Sequence, residues 1–174
     1  MNVKPLEQVK LINEIETFHQ DLDSALSRFS AETLNAVPFQ GSWTAGQVAE
    51  HIIKSQLHII APLSEGLTST ADRLYDQEVN TIQEIFRDKE SKAKTDKSIA
   101  PGPPPHKLKA LLGTLQKQKE QQIEIIKTKK LEGFSVSLEF PGIGKLSRYE
   151  WIHMMIEHGQ RHRRQIDTIY GKLH

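Results

Sequence analysis

Apolar residues recur at three- and four-residue steps in four separate stretches of this 174-residue chain, and each stretch predicts an amphipathic helix. In the first, residues 5–29, Leu6, Val9, Ile12, Ile15, Phe18, Leu22, Leu26 and Phe29 form one stripe, with Glu7, Lys10, Glu14 and Asp21 on other faces. Pro5 suits the first turn, where a missing N–H costs nothing. The second stretch, 44–67, opens with Thr44-Ala45-Gly46-Gln47, a capping-box pattern, and carries Val48, His51, Ile52, Ser55 and Ile59 along one face. Pro62 is expected to bend or end that helix near Ala61.

The third helix is predicted over 106–129 from Leu108, Leu111, Leu112, Leu115, Ile123 and Ile126; Gln116 to Gln122 contains no aliphatic residue, so a largely solvated middle is expected. The fourth, 147–170, begins with the capping box Ser147-Arg148-Tyr149-Glu150. It turns Ile152, Met155, Ile156, Gly159, His162, Ile166 and Ile169 inward, and Gly171 is read as its stop. Asp76 to Arg87 has the apolar spacing of a short helix, whereas Pro101-Gly102-Pro103-Pro104-Pro105 cannot be helical. Phe134 to Phe140 alternates and is the expected source of any strand, a hairpin arm ending in Pro141-Gly142-Ile143-Gly144. Four amphipathic helices without a credible parallel sheet predict an all-α fold: an antiparallel four-helix bundle in one domain, residues 1–174, with a long connection between the second and third helices.

Composition narrows the function. Hydrophobic residues at 37% against 26% charged suit a globular chain, and 23 basic against 22 acidic residues leave no bulk field to recruit nucleic acid or anionic lipid. Aromatics at 6% make a base-stacking surface unexpected despite the basic runs 127–130 and 161–164. No cysteine is present, which removes disulfides, thiolate metal sites and a cysteine nucleophile. With no apolar leader at Met1 to Glu7 and no long uncharged apolar stretch, neither secretion nor membrane insertion is expected, and the cytoplasm is the expected compartment.

The candidate chemistry lies in histidines. On one helix, His158 and His162 are four apart and so stack one turn above each other. His51, on a facing helix, could supply a third nitrogen, making a metal site with an open position. The spacing alone also fits core histidines bonded to neighbouring side chains, and both readings stay open on pattern. Glu50 and Gln165 are candidates for orienting imidazoles, or for solvated polar faces. His58, seven residues after His51, returns to its face about 10 Å along the axis and reads as a bundle or pocket-lining residue. His153 projects about 140° from His158 and is excluded as a co-ligand. Arg161, Arg163 and Arg164 read mainly as a solvated face; His19, His106 and His174 receive no role.

Trp43-Thr44 leading to His51, Gly144-Lys145-Leu146-Ser147 entering the last helix, and His158-Gly159-Gln160-Arg161-His162-Arg163-Arg164-Gln165 within it resemble the DinB/YfiT-like family of four-helix proteins. The motifs fill about 30 residues, while the order of elements matches along nearly the whole chain. The resemblance implies that His51, His158 and His162 hold a divalent metal ion, nickel or zinc above all. It also implies a hydrolase, or a transferase that uses a low-molecular-weight thiol such as mycothiol or bacillithiol. The expected partner is a small-molecule substrate, shaped to fit by residues 70–105; a homodimer is an open alternative. No catalytic side chain beyond the metal site is assigned. The rival expectation is a non-enzymatic, stress-related bundle that holds a metal or ligand.

Overall fold

The computed structural model describes residues 2–90 and 95–174. Six α-helices occur among them: α1 (Pro5–Ser27), α2 (Ala31–Leu34), α3 (Ala45–Glu65), α4 (Val79–Arg87), α5 (Leu108–Thr128) and α6 (Arg148–Leu173). A 3₁₀ turn spans Lys97–Ile99, and two short strands, β1 (Thr68–Ser69) and β2 (Phe134–Ser135), pair antiparallel. The strand at Phe134 falls where alternation predicts one; its partner β1 has no comparable sequence signal.

Local chemistry sets the helix starts. Thr44 Oγ1 accepts the Gln47 N–H at 3.1 Å while Gln47 Oε1 accepts the Thr44 N–H at 3.0 Å. Ser147 and Glu150 make the same exchange at 3.0 and 2.8 Å. Both predicted capping boxes are thus present, at the two helices that carry the three histidines. The predicted helix stops behave differently. Pro62 lies inside α3, which continues to Glu65. Only one helical hydrogen bond is lost at the proline, and the end is held by Arg148, whose guanidinium donates to Leu63 O at 2.9 Å and Gly66 O at 3.2 Å. Gly171 likewise does not end α6, which runs to Leu173, where the leucine packs on the core.

The long helices α1, α3, α5 and α6 form the bundle. α1 packs against α5 and α6, and α3 packs against the same two, so α1 and α3 face each other across the diagonal. Along α1 and α6 the facing pairs rise together: Glu14 with His153, Asp21 with Gln160, Arg28 with Asp167. These two helices therefore run in the same direction. Along α3 and α6 the pairs run oppositely, His51 facing His162 and Leu63 facing Arg148. Gly46 beside His106 and Gln56 beside Gln122 make α3 and α5 co-directional. Each helix thus has one antiparallel and one parallel neighbour. Because α5 repeats the direction of α3, residues 66–107 must carry the chain back along the roughly 31 Å length of a 21-residue helix. That is the physical reason for the long connection.

Leu11, Ile15, Phe18, Leu22 and Leu26 on α1 meet Val48, Ile52 and Leu63 of α3, Ile125 and Ile126 of α5, and Ile152 and Ile166 of α6 in one core. One expectation about this core is corrected and another is refined. Leu6 and Val9, read as part of the α1 stripe, are exposed, because the buried face starts at Leu11. The polar middle of α5 is solvated as expected at Gln116, Lys117, Glu120 and Gln121, but Gln118 and Gln122 turn inward and are buried. Their amides are satisfied by a chain of hydrogen bonds. His19 Nε2 donates to Gln122 Oε1 at 2.7 Å, Gln122 to Gln56 at 2.8 Å, Gln56 to Gln118 at 2.7 Å, and Gln118 to the Ile53 carbonyl at 2.9 Å. Burial of amides is tolerable when every donor finds an acceptor. His19 accordingly has a structural role that its sequence context did not reveal. Among the described residues, no helix is long and apolar enough to cross a membrane.

Candidate metal centre

His51 on α3 and His158 and His162 on α6 come together: their candidate ligand nitrogens all lie within 4.8 Å of one another. His51 Nε2 is 3.3 Å from His158 Nε2 and 3.0 Å from His162 Nε2. Nitrogens bound at about 2.1 Å in tetrahedral geometry stand about 3.4 Å apart, and the two distances from His51 lie close to that value. The antiparallel crossing of α3 on α6 produces it, placing the first third of one helix against the middle of the other.

Second bonds fix the ring orientations. His51 Nδ1 lies 2.9 Å from the Ile99 carbonyl, and His162 Nδ1 lies 2.8 Å from Gln165 Oε1. Each Nδ1 meets an acceptor, so each carries the proton and leaves its Nε2 lone pair facing the common point. Two lone pairs 3.0 Å apart repel. A cation between them converts that repulsion into ligation, and the donor set therefore fits a divalent ion.

Electrostatics favour the same state. Burial holds the His51 imidazole below its usual range, the Ile99 carbonyl opposing the shift. Burial, with His162 and His51 beside it, holds His158 well below. Burial and the neighbouring His51 bring His162 to about 4. All three are neutral at pH 7, the form that ligates metal. Hydrophobic rings wall the site: Trp43 lies 5.2 Å from His51 and Phe86 of α4 lies 5.6 Å from His158, ring centroid to centroid. His51 and His158 are buried, while His162 keeps partial exposure. Among the described residues, no fourth histidine or carboxylate joins the group.

The remaining candidates sort clearly. Gln165 meets a ring of the cluster, as expected for an orienting residue. Glu50 does not; its carboxylate accepts from the Gly102 N–H at 2.8 Å and meets His106 Nε2 at 2.6 Å, because its position on α3 faces the proline-rich segment rather than α6. His106, given no role from sequence, is thereby tied to α3. His58 is exposed and lines no bundle interior. His153 faces α1, with Nδ1 3.8 Å from Glu14, away from the cluster. Arg161 and Arg164 are half-buried rather than solvated: they donate to the Asp88 and Phe86 carbonyls at 3.2 and 3.1 Å and so cap the C-terminal end of α4. Phe86 and Ile99 both come from the connection expected to shape the mouth; residues 91–94 of it lie outside the described residues. The contribution of Ile99 is a backbone atom, which no side-chain pattern announces.

A model of the DinB superfamily matches residues 14–166. Among solved structures, YfiT from Bacillus subtilis, described as a probable metal-dependent hydrolase with an unusual four-helix bundle topology, matches with a TM-score of 0.65 at 16% identity. The match covers 99% of this chain and 90% of that one; at such identity it establishes the shared fold. Curated protein sequences give no match. With the family model spanning all four bundle helices and the three converging histidines, the chain belongs to the DinB superfamily.

Proposed function

We propose that this protein is a metal-dependent enzyme acting on a small molecule, a hydrolase in the first instance, with His51, His158 and His162 as the ligands of one divalent ion. The convergence of three neutral imidazoles without a fourth protein donor, among the described residues, carries the reading. A closed structural site would have filled that position. A bound ion would keep its full charge on such neutral ligands and supply Lewis acidity at the position that no protein donor fills. The chain's own groups do the rest. Ile99 and Gln165 hold two imidazoles in the ligating tautomer, and Trp43 and Phe86 exclude bulk water from the rings. Zinc and nickel both suit imidazole donors.

The description of YfiT as a probable metal-dependent hydrolase supports hydrolysis. Thiol transfer is the alternative chemistry, and the absence of cysteine requires its thiol to arrive as a co-substrate. Untagged protein, purified without metal resin and loaded with zinc or nickel, is to be assayed on ester and amide panels with and without a low-molecular-weight thiol. Turnover that tracks bound metal and vanishes in His158→Ala supports the hydrolase; turnover only with thiol identifies a transferase. Stoichiometric metal without turnover in either panel favours the non-enzymatic bundle.

A further inference from the structure

One stripe of α3 grips the returning chain. Gln47, Glu50, His51 and Lys54 stand at helical steps of three, four and seven and so share a face. Each reaches the segment 99–106. Gln47 Nε2 donates to Gly102 O at 3.1 Å, and Lys54 Nζ donates to Ala100 O at 2.9 Å. Glu50 accepts the Gly102 N–H at 2.8 Å, meets His106 Nε2 at 2.6 Å and pairs with Lys54 at 3.3 Å. His51 Nδ1 meets Ile99 O at 2.9 Å. From the other side, Asn35 clasps the His106 backbone, accepting its N–H at 2.6 Å and donating to its carbonyl at 2.9 Å.

The composition of the segment makes Glu50 the centre of this grip. In Pro101-Gly102-Pro103-Pro104-Pro105 four residues lack a backbone N–H, so Gly102 holds the only amide donor of the five. That donor goes to Glu50. A segment so poor in donors cannot hold itself in place by its own backbone bonds; its position comes from side chains of α3. Three residues before Gly102 lies the carbonyl that sets the tautomer of His51.

We infer that Glu50 is a positioning residue for the three-histidine centre: it anchors the proline-rich return segment through Gly102 and His106, and so keeps the Ile99 carbonyl on His51 Nδ1. The role rests on the metal reading above, yet it acts on the imidazole through the segment: the Glu50 carboxylate bonds to Gly102, His106 and Lys54 rather than to a ring of the cluster. Ligand-orienting partners of this kind are worth about 10- to 100-fold in metal affinity.

The test uses full-length untagged protein stripped of metal, with zinc and nickel as probes in chelator competition, and nitrogen-15 histidine spectra of the metal-free form. Glu50→Ala is expected to weaken metal binding about 10- to 100-fold and to lose the slowly exchanging His51 Nδ1–H signal. Glu50→Gln, which keeps an acceptor for Gly102, is expected to fall between Glu50→Ala and the unchanged chain. Leu11→Ala, a core truncation at the end of the bundle away from the cluster by the register of Glu14 on His153, is the control for lost stability: its melting temperature drops while affinity and the Nδ1–H signal stay. Wild-type affinity in Glu50→Ala, or an unchanged Nδ1–H signal there, overturns the inference. Failure of the unaltered protein to bind metal overturns the functional reading instead, and the Nδ1–H signal still decides the role of Glu50.

Discussion

The ring of Phe18 on α1 occupies the space where a β-carbon on Gly159 of α6 would stand. Gly159 follows His158 directly, so this tight contact between two parallel bundle helices is made beside the candidate metal centre. Phe18 is fully buried, so the surrounding core opposes movement of its ring.

Gly159→Ala should therefore push α6 away from α1. Overpacking of this kind costs about 1–3 kcal/mol, and helix propensity returns under about 1 kcal/mol of it. A lower denaturation midpoint is expected together with weaker zinc binding, because His158 and His162 move with the helix. A variant as stable as the unaltered chain would show that the Phe18 ring yields without disturbing α6.

The buried amide chain from His19 to Ile53 gives a second expectation. Gln122→Ala removes the partner of both His19 and Gln56 and leaves a cavity. Each buried group left unsatisfied costs about 1–3 kcal/mol. Urea denaturation should register a loss of several kcal/mol, with metal stoichiometry unchanged since the chain does not touch the three histidines. A loss under about 1 kcal/mol would mean that water enters to replace the amide.

Much of this fold is legible in the sequence, and for identifiable reasons. Thr44-Gln47 and Ser147-Glu150 cap the helices that carry the site, and those caps depend on local spacing alone. The convergence of His51 on the His158–His162 pair was expected from helical geometry together with the family resemblance. What escaped depends on distant partners. Gln118 and Gln122 read as solvent-facing because their hydrogen-bond partners lie on α1 and α3. Pro62 read as a stop because the capping guanidinium, Arg148, is 86 positions further along. Glu50 read as a direct partner of an imidazole in the cluster, whereas its contacts are with Gly102 and His106 of the long connection.

Acid should destabilise the metal-free protein over a defined window. Burial brings His19, His153 and His162 from an ordinary 6.5 down to about 4. Unfolding frees these rings to take protons near pH 6.5, which the folded chain accepts only near pH 4. The unfolded state thus binds more protons in between, so stability present above about 6.5 is lost as the pH falls toward 4. At ~1.4 kcal/mol per pH unit, each group accounts for up to ~3 kcal/mol. Urea midpoints at pH 7, 5.5 and 4.5 should fall in that order, and His153→Phe should flatten the slope. A flat profile would contradict the buried, neutral state of these rings.

Metal removal should leave the bundle standing. The core formed by Leu11, Phe18, Ile52, Ile126 and Ile152 does not include the three histidines. Chelation is expected to leave far-ultraviolet circular dichroism unchanged and to lower the melting temperature in proportion to metal affinity and concentration. Loss of helicity on chelation would make the ion a folding element.

The central claim is that the Nε2 atoms of His51, His158 and His162 together hold one ion. Calorimetric titration of zinc into untagged, metal-stripped protein at pH 7.5, beside His162→Ala, tests it most directly. One ion per chain in the unaltered protein and none in His162→Ala, with both equally helical, is the predicted result. Equal binding by the two chains, or none by either, would contradict it.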